Sequence, residues 1–111
     1  MRFSFRVWHS GEGLMIPNCN QGFEGDVFNW RDQGQPVMIM QGTGLKDRNG
    51  VEIYEGDIVR WGKHSGETED AAIQWNPNNC RFVWRNSFGF DEAEAKSFME
   101  IVGNIYETPQ L

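Results

Sequence analysis

Residues 43–61, TGLKDRNGVEIYEGDIVRW, decide the fold. Asn49-Gly50 stands between two short segments with apolar positions, and this pair tolerates the positive φ angles that a two-residue type I′ hairpin turn demands. Glu55-Gly56-Asp57 forms a second turn. After it, Ile58, Val59 and Trp61 supply the β-branched and aromatic residues of a further strand. The stretch predicts strand, tight hairpin, strand, turn, strand.

Upstream of it, residues 37–40 (VMIM) are an unbroken apolar run between Pro36 and Gly42. That is too short for a typical helix, so a strand buried on both faces is expected. Val27, Phe28 and Trp30 suggest another strand, set off by a turn at 31–36 and preceded by a polar, glycine-rich loop at 18–26. At the N-terminus Phe3, Phe5 and Val7 alternate with Ser4, Arg6 and Trp8, the period of a strand with one buried face. A turn at 10–13 lets Leu14, Met15 and Ile16 pair back, and Pro17, lacking an amide hydrogen, ends that strand.

Downstream, residues 62–70 are polar and read as a loop. Ala71, Ala72, Ile73 and Trp75 form one arm of a hairpin across Asn76-Pro77-Asn78-Asn79, and residues 80–85 form the other, with Phe82 and Trp84 sharing a face. Asp91 followed by Glu94 has the spacing of a capping box, which predicts a helix over 92–99 with Phe98 and Met99 toward the core. Ile101, Val102, Ile105 and Tyr106 supply a closing strand, with a bulge at Gly103.

Short strands punctuated by glycine turns predict a mainly β chain, a small barrel or roll with an N-terminal β-hairpin extension (1–42), a barrel core (43–107) and one short helix near the C-terminus. The segments TGLKDRNGVEIYEGDIV and IVGNIYETPQL, together with FRVWHSGEGLMI near the N-terminus, resemble the YopX family of phage and prophage proteins over residues 3–110. The resemblance implies the same SH3-like architecture. It also implies a larger residue near position 42, where this chain has glycine, and it brings no functional residue to any position.

At 111 residues, with 39 % hydrophobic and 23 % charged residues, the chain is one globular domain and not a disordered one. The net charge of −6 is unevenly placed: residues 67–111 hold three basic against eight acidic side chains, five of the six net negative charges. Such a surface repels a phosphate backbone, which argues against nonspecific nucleic-acid binding. No apolar run reaches the roughly 20 residues of a membrane span, and the N-terminus lacks the apolar core of a signal peptide. A cytoplasmic location, in a bacterial host by the resemblance, is expected, with Cys19 and Cys80 as reduced thiols.

Catalytic and metal chemistry finds little support. His9, His64, Cys19 and Cys80 have none of the close spacings of a zinc site, and neither a GxSxG nor a Walker A motif occurs. Asp57 beside Gly56 reads as a turn-fixing carboxylate before it reads as a general base, and so do Asp47 and Asn49. An enzyme would need Asp57, His64 or Cys80 to converge in one pocket.

Tryptophan and arginine offer the better case. In so small a core, some of the strand tryptophans must remain accessible. Trp61, Trp75 and Trp84, with Arg60, Arg81 and Arg85 beside them, are therefore the candidate interaction surface. The expected function is a non-enzymatic phage or prophage accessory protein, without cofactor, that binds a host or phage protein; interference with host or defence machinery is one form this takes. The alternative is a nucleic-acid or nucleotide-binding barrel that stacks bases on exposed tryptophan beside arginine. Self-association through open strand edges is compatible with either.

Overall fold

The computed structural model describes residues 4–16, 34, 36–62, 66–78, 80–84 and 88–107. The expected strand at Val27–Trp30 and the loop before it lie outside these residues. So do Cys19, Lys63, His64 and Arg85.

The fold is mainly β, a curled half-barrel of two sheets with one short helix near the C-terminus. Strands β1 (Phe5–His9), β2 (Leu14–Ile16), β3 (Val37–Lys46) and β4 (Glu52–Tyr54) make one sheet in the order β2-β1-β3-β4. Strands β5 (Asp57–Gly62), β6 (Thr68–Asn76), β7 (Arg81–Trp84), β8 (Phe88–Gly89) and β9 (Met99–Asn104) make the other, in the order β8-β7-β6-β5-β9. Helix α1 (Glu92–Phe98) lies between β8 and β9 in the chain.

The deciding stretch folds in the expected order, with one correction. The tip of the β3–β4 hairpin is a three-residue loop, closed by the Asp47 N–H donating to the Val51 carbonyl (2.9 Å). Gly50 has φ +79°, while Asn49 is not in the left-handed region. A type I turn with glycine in the αL position thus replaces the type I′ turn. The Asp47 side chain explains the preference: its Oδ1 accepts the Asn49 and Val51 amides (2.9 and 3.0 Å), holding the longer turn.

After β4 the chain leaves the first sheet at Glu55-Gly56 and enters the second. β3 passes through position 42 without a break. Its first half pairs with β1, from Val37↔His9 to Gln41↔Phe5, and its second half pairs with β4, from Gly42↔Tyr54 to Lys46↔Glu52. The run VMIM is not buried on both faces: Val37 and Met40 are buried, but Met38 is 49 % exposed.

The main core is Ile53, Val59, Ile73, Trp84, Ala95 and Met99, with Leu45, Trp61, Phe82, Phe90 and Ile101 packed against it. A smaller one, Val7 and Val37, lies under the β1–β2 hairpin with Phe5, Ile16 and Ile39. Asp91 caps α1 by accepting the Glu94 amide (2.8 Å), and its own amide donates to the Glu94 carboxylate. The helix stops one residue early, because Met99 is already extended (φ −103°, ψ 138°) while its N–H closes the last turn on the Ala95 carbonyl, and β9 starts at once. The bulge in β9 falls at Val102, between the pairs Val59↔Ile101 and Ile58↔Gly103. β9 ends at Asn104, so Ile105 and Tyr106 belong to a turn and not to the strand.

Candidate functional site

The turn that carries the chain between sheets also builds a groove. Gly56, at φ +87°, donates its N–H to the Ile73 carbonyl on β6 and accepts the Ile105 N–H, each at 2.9 Å. Its φ lies in the left-handed region that favours glycine, and a Cβ there would also press on the Met40 sulfur at 3.2 Å, so a larger residue would strain the turn. Asn104 ends β9 with its side chain: Oδ1 accepts the amides of Tyr106 (3.0 Å) and Glu107 (2.8 Å). The resulting turn stacks Tyr106 on Trp8, with ring centroids 5.9 Å apart and planes 16° from parallel.

The groove has a volume of about 330 Å³. β3 contributes Met38 and Met40, β6 contributes Gln74 and Trp75, the inter-sheet turn contributes Glu55, and Ile105 and Tyr106 complete it. Three of these side chains are large, apolar and open to solvent: Met38 is 49 %, Trp75 43 % and Ile105 38 % exposed. Trp75 is held edge-on to Phe82, its cross-strand partner, at 5.0 Å and 69°. Apolar side chains from three separate elements converging on one hollow are the usual make-up of a binding surface.

Next to the groove lies a buried ion pair. Asp57 is 1 % exposed. Its Oδ1 lies 2.7 Å from Arg6 Nη2 of β1, and its Oδ2 accepts the Tyr54 amide, also at 2.7 Å. The same guanidinium donates to the Glu55 carbonyl (3.4 Å) and sits over the Tyr54 ring, 4.9 Å from its centroid. Asp57 therefore fixes the turn, as its place beside Gly56 implied, and also joins the two sheets. Burial pushes its carboxyl up from the ordinary 3.8, and the pull of Arg6 and of the Tyr54 amide does not offset this. Burial likewise raises the Tyr106 hydroxyl, and the charge of Glu55 adds to the effect.

The residues singled out from the sequence do not form one surface. Trp75 lines the groove. Trp61 is half-buried, 5.4 Å from Trp84 and stacked on Phe98 at 6.0 Å. Trp84 is a core residue, 6 % exposed, with its indole N–H donating to the Val59 carbonyl (2.9 Å), so it does not belong on an interaction surface. Trp75 and Trp84 share a face of the hairpin, but Trp84 pairs with Ile73 over the main core, whereas Trp75 lies farther along β6 toward the turn.

The arginines also diverge. Arg60 is opposite Asp70 at the start of β6 and grips it with two hydrogen bonds of 2.9 and 3.1 Å. Arg81 is opposite Asn76 at the other end of that strand, roughly 20 Å away at the rise of a β-strand. Arg81 lines a second hollow, with Phe82, Phe90, Asp91 and Glu94. Cys80 is exposed on the β6–β7 turn, with its thiol toward the Pro77 carbonyl, while Asp57 is sealed inside. Among the described residues, no group of three His, Cys, Asp or Glu side chains is placed to hold a metal ion. No described helix is long and apolar enough to cross a membrane.

Met38, Glu55, Ile105 and Tyr106 were missed as site residues. The usable signal was Asn104, whose Asx turn swings the following two residues out of the strand.

Comparison with known proteins agrees with this architecture. A family model described as YopX protein matches residues 4–111. The crystal structure of protein EF1440 from Enterococcus faecalis is similar, with a TM-score of 0.72 and 27 % sequence identity, covering 99 % of this chain and 97 % of that one. No curated protein matches. With nearly its whole length matched by the family model, the chain belongs to the YopX family.

Proposed function

We propose that this protein is a non-enzymatic accessory protein of phage or prophage origin that acts by binding another protein, of the host or of the phage, through the groove between its sheets. The observation that carries the reading is the convergence of Met38, Trp75 and Ile105, each more than one-third exposed, on one hollow. Leaving three large apolar side chains in water is unfavourable, and a partner's apolar segment would relieve it.

The non-enzymatic part rests on the state of the candidate groups. Asp57 has both carboxylate oxygens engaged, and Cys80 lies on an exposed turn. The nucleic-acid alternative is weakened by Arg60, whose guanidinium is committed to Asp70, and by Lys96, which pairs with Glu92 at 2.8 Å.

The test is affinity capture from the bacterial host with tagged wild-type protein and a Trp75→Ala variant side by side. A stoichiometric protein held by the wild type and lost from the variant is the expected result. Equal recovery on both would remove the groove from the function, and recovery of nucleic acid in place of protein would favour the alternative.

A further inference from the structure

We propose that the groove selects a partner segment carrying a cationic side chain, a lysine or arginine adjacent to an apolar anchor, with Glu55 as the recognition charge. This rests on the reading of the groove as the binding site and adds the chemical class of its occupant.

Among the described residues, Glu55 is the one carboxylate side chain lining the hollow, and no lysine or arginine lines it; the others are apolar, aromatic or neutral polar. It is held in place at three points. Its amide donates to the Gln41 carbonyl (2.9 Å), its Oε1 faces the Gln41 amide (3.4 Å), and its carbonyl receives Arg6 Nη2. The nearby cation, Arg6, is shared: its guanidinium lies 2.7 Å from Asp57 Oδ1 and meets Glu55 at the backbone carbonyl, with no ion pair to the Glu55 carboxylate among the described contacts.

The walls suit the rest of such a side chain. Met38 and Ile105 offer apolar surface to an aliphatic stem, and the aromatic rings of Trp75 and Tyr106 stand in the same lining. A net charge of −6 steers a basic segment toward the protein and an acidic one away. An apolar segment bearing Asp or Glu would bring like charges together in a partly desolvated hollow, which is a strong basis for discrimination.

The experiment selects binders from a random peptide library displayed against the immobilised protein at low salt, then titrates the synthetic peptides by calorimetry. Lysine or arginine next to an apolar residue should be enriched. Replacing that lysine by norleucine, or Glu55 by glutamine, should weaken binding about tenfold, and added salt should remove most of the difference. Peptides without basic enrichment, whose affinity ignores Glu55→Gln but falls with Trp75→Ala, would overturn the cation and leave the groove standing. Peptides that bind Trp75→Ala as tightly as wild type, or a library that yields no binder, would overturn both.

Discussion

Asp47 Oδ2 accepts the backbone amide of Ile101 at 3.0 Å, a bond from the tip of the β3–β4 hairpin to an edge strand of the other sheet. The same tip sends the Arg48 amide to the Met99 carbonyl (2.9 Å). The outer edge of β9 is thereby partly covered by its own chain, which leaves less of it open for pairing with another molecule. Asp47 is 2 % exposed and serves three amides, those of Asn49, Val51 and Ile101. Asp47→Ala should strand all three and cost about 3 kcal/mol in denaturant unfolding. Asp47→Asn keeps the turn bonds through one oxygen but turns an N–H toward Ile101, or the reverse, so it should recover only part of the loss.

The Arg6–Asp57 pair should behave as a unit. Arg6→Met leaves the buried Asp57 carboxylate without its counter-charge and should cost about 3 kcal/mol, while Asp57→Asn, which removes a charge that burial already disfavours, should cost clearly less. The double variant should lose clearly less than the sum, and additivity in a double-mutant cycle would mean the pair is not coupled.

Asp57 also sets a pH dependence. Its carboxyl titrates above 3.8 in the folded state, so the native protein binds this proton more tightly than the unfolded chain does. The associated stability is complete below 3.8 and is lost as pH rises through the raised value. Relative to wild type, Asp57→Asn should therefore remove a downward slope of stability with pH in that window. A carboxyl midpoint at or below 3.8, followed by NMR on the wild type, would contradict the assignment.

The two hairpin tryptophans should separate stability from binding. Trp84→Phe leaves the Val59 carbonyl unpaired in the core and opens a cavity, at a cost of about 2 kcal/mol. Trp75→Ala should change stability by no more than about 1 kcal/mol while abolishing partner capture. Thermal unfolding and capture measured on both variants check this directly.

Gly42 departs from the larger residue that the family resemblance implied, and its surroundings account for the glycine. Ser4 donates its hydroxyl to the Glu52 carboxylate directly over it, and a Cβ at 42 would overlap both groups. Gly42→Ala should destabilise by about 2 kcal/mol. Adding Ser4→Ala should restore part of that, since one of the two clashing atoms is then gone.

What could be read from the chain was what neighbours decide. Asn49-Gly50 marked the hairpin, Asn76-Pro77 the turn, and Asp91 with Glu94 the helix cap, because each acts within a few residues. The same local signals could not distinguish Trp75 from Trp84, since both occupy the same face of a hairpin and differ only in what lies across from them. Nor could they find the partner of Asp57, an arginine 51 positions earlier, or the groove, whose walls are drawn from four separate parts of the sequence. Charge misled in a similar way: Arg60 looked available beside Trp61, but its cross-strand neighbour is Asp70.

The ties between residues far apart in the chain also have a kinetic consequence. Ser4–Glu52, Arg6–Glu55 and Asp47–Ile101 join residues 48, 49 and 54 positions apart. Closing a loop of that length costs roughly 3 kcal/mol in chain entropy before either end gains a contact. The local hairpins β3–β4 and β6–β7 can form first at little cost, and the cross-ties should close after the rate-limiting barrier. Removing any of them should then leave the refolding limb of a chevron almost unchanged and steepen the loss on the unfolding side. The lifetime of the folded molecule would thus be governed by bonds that take no part in its formation.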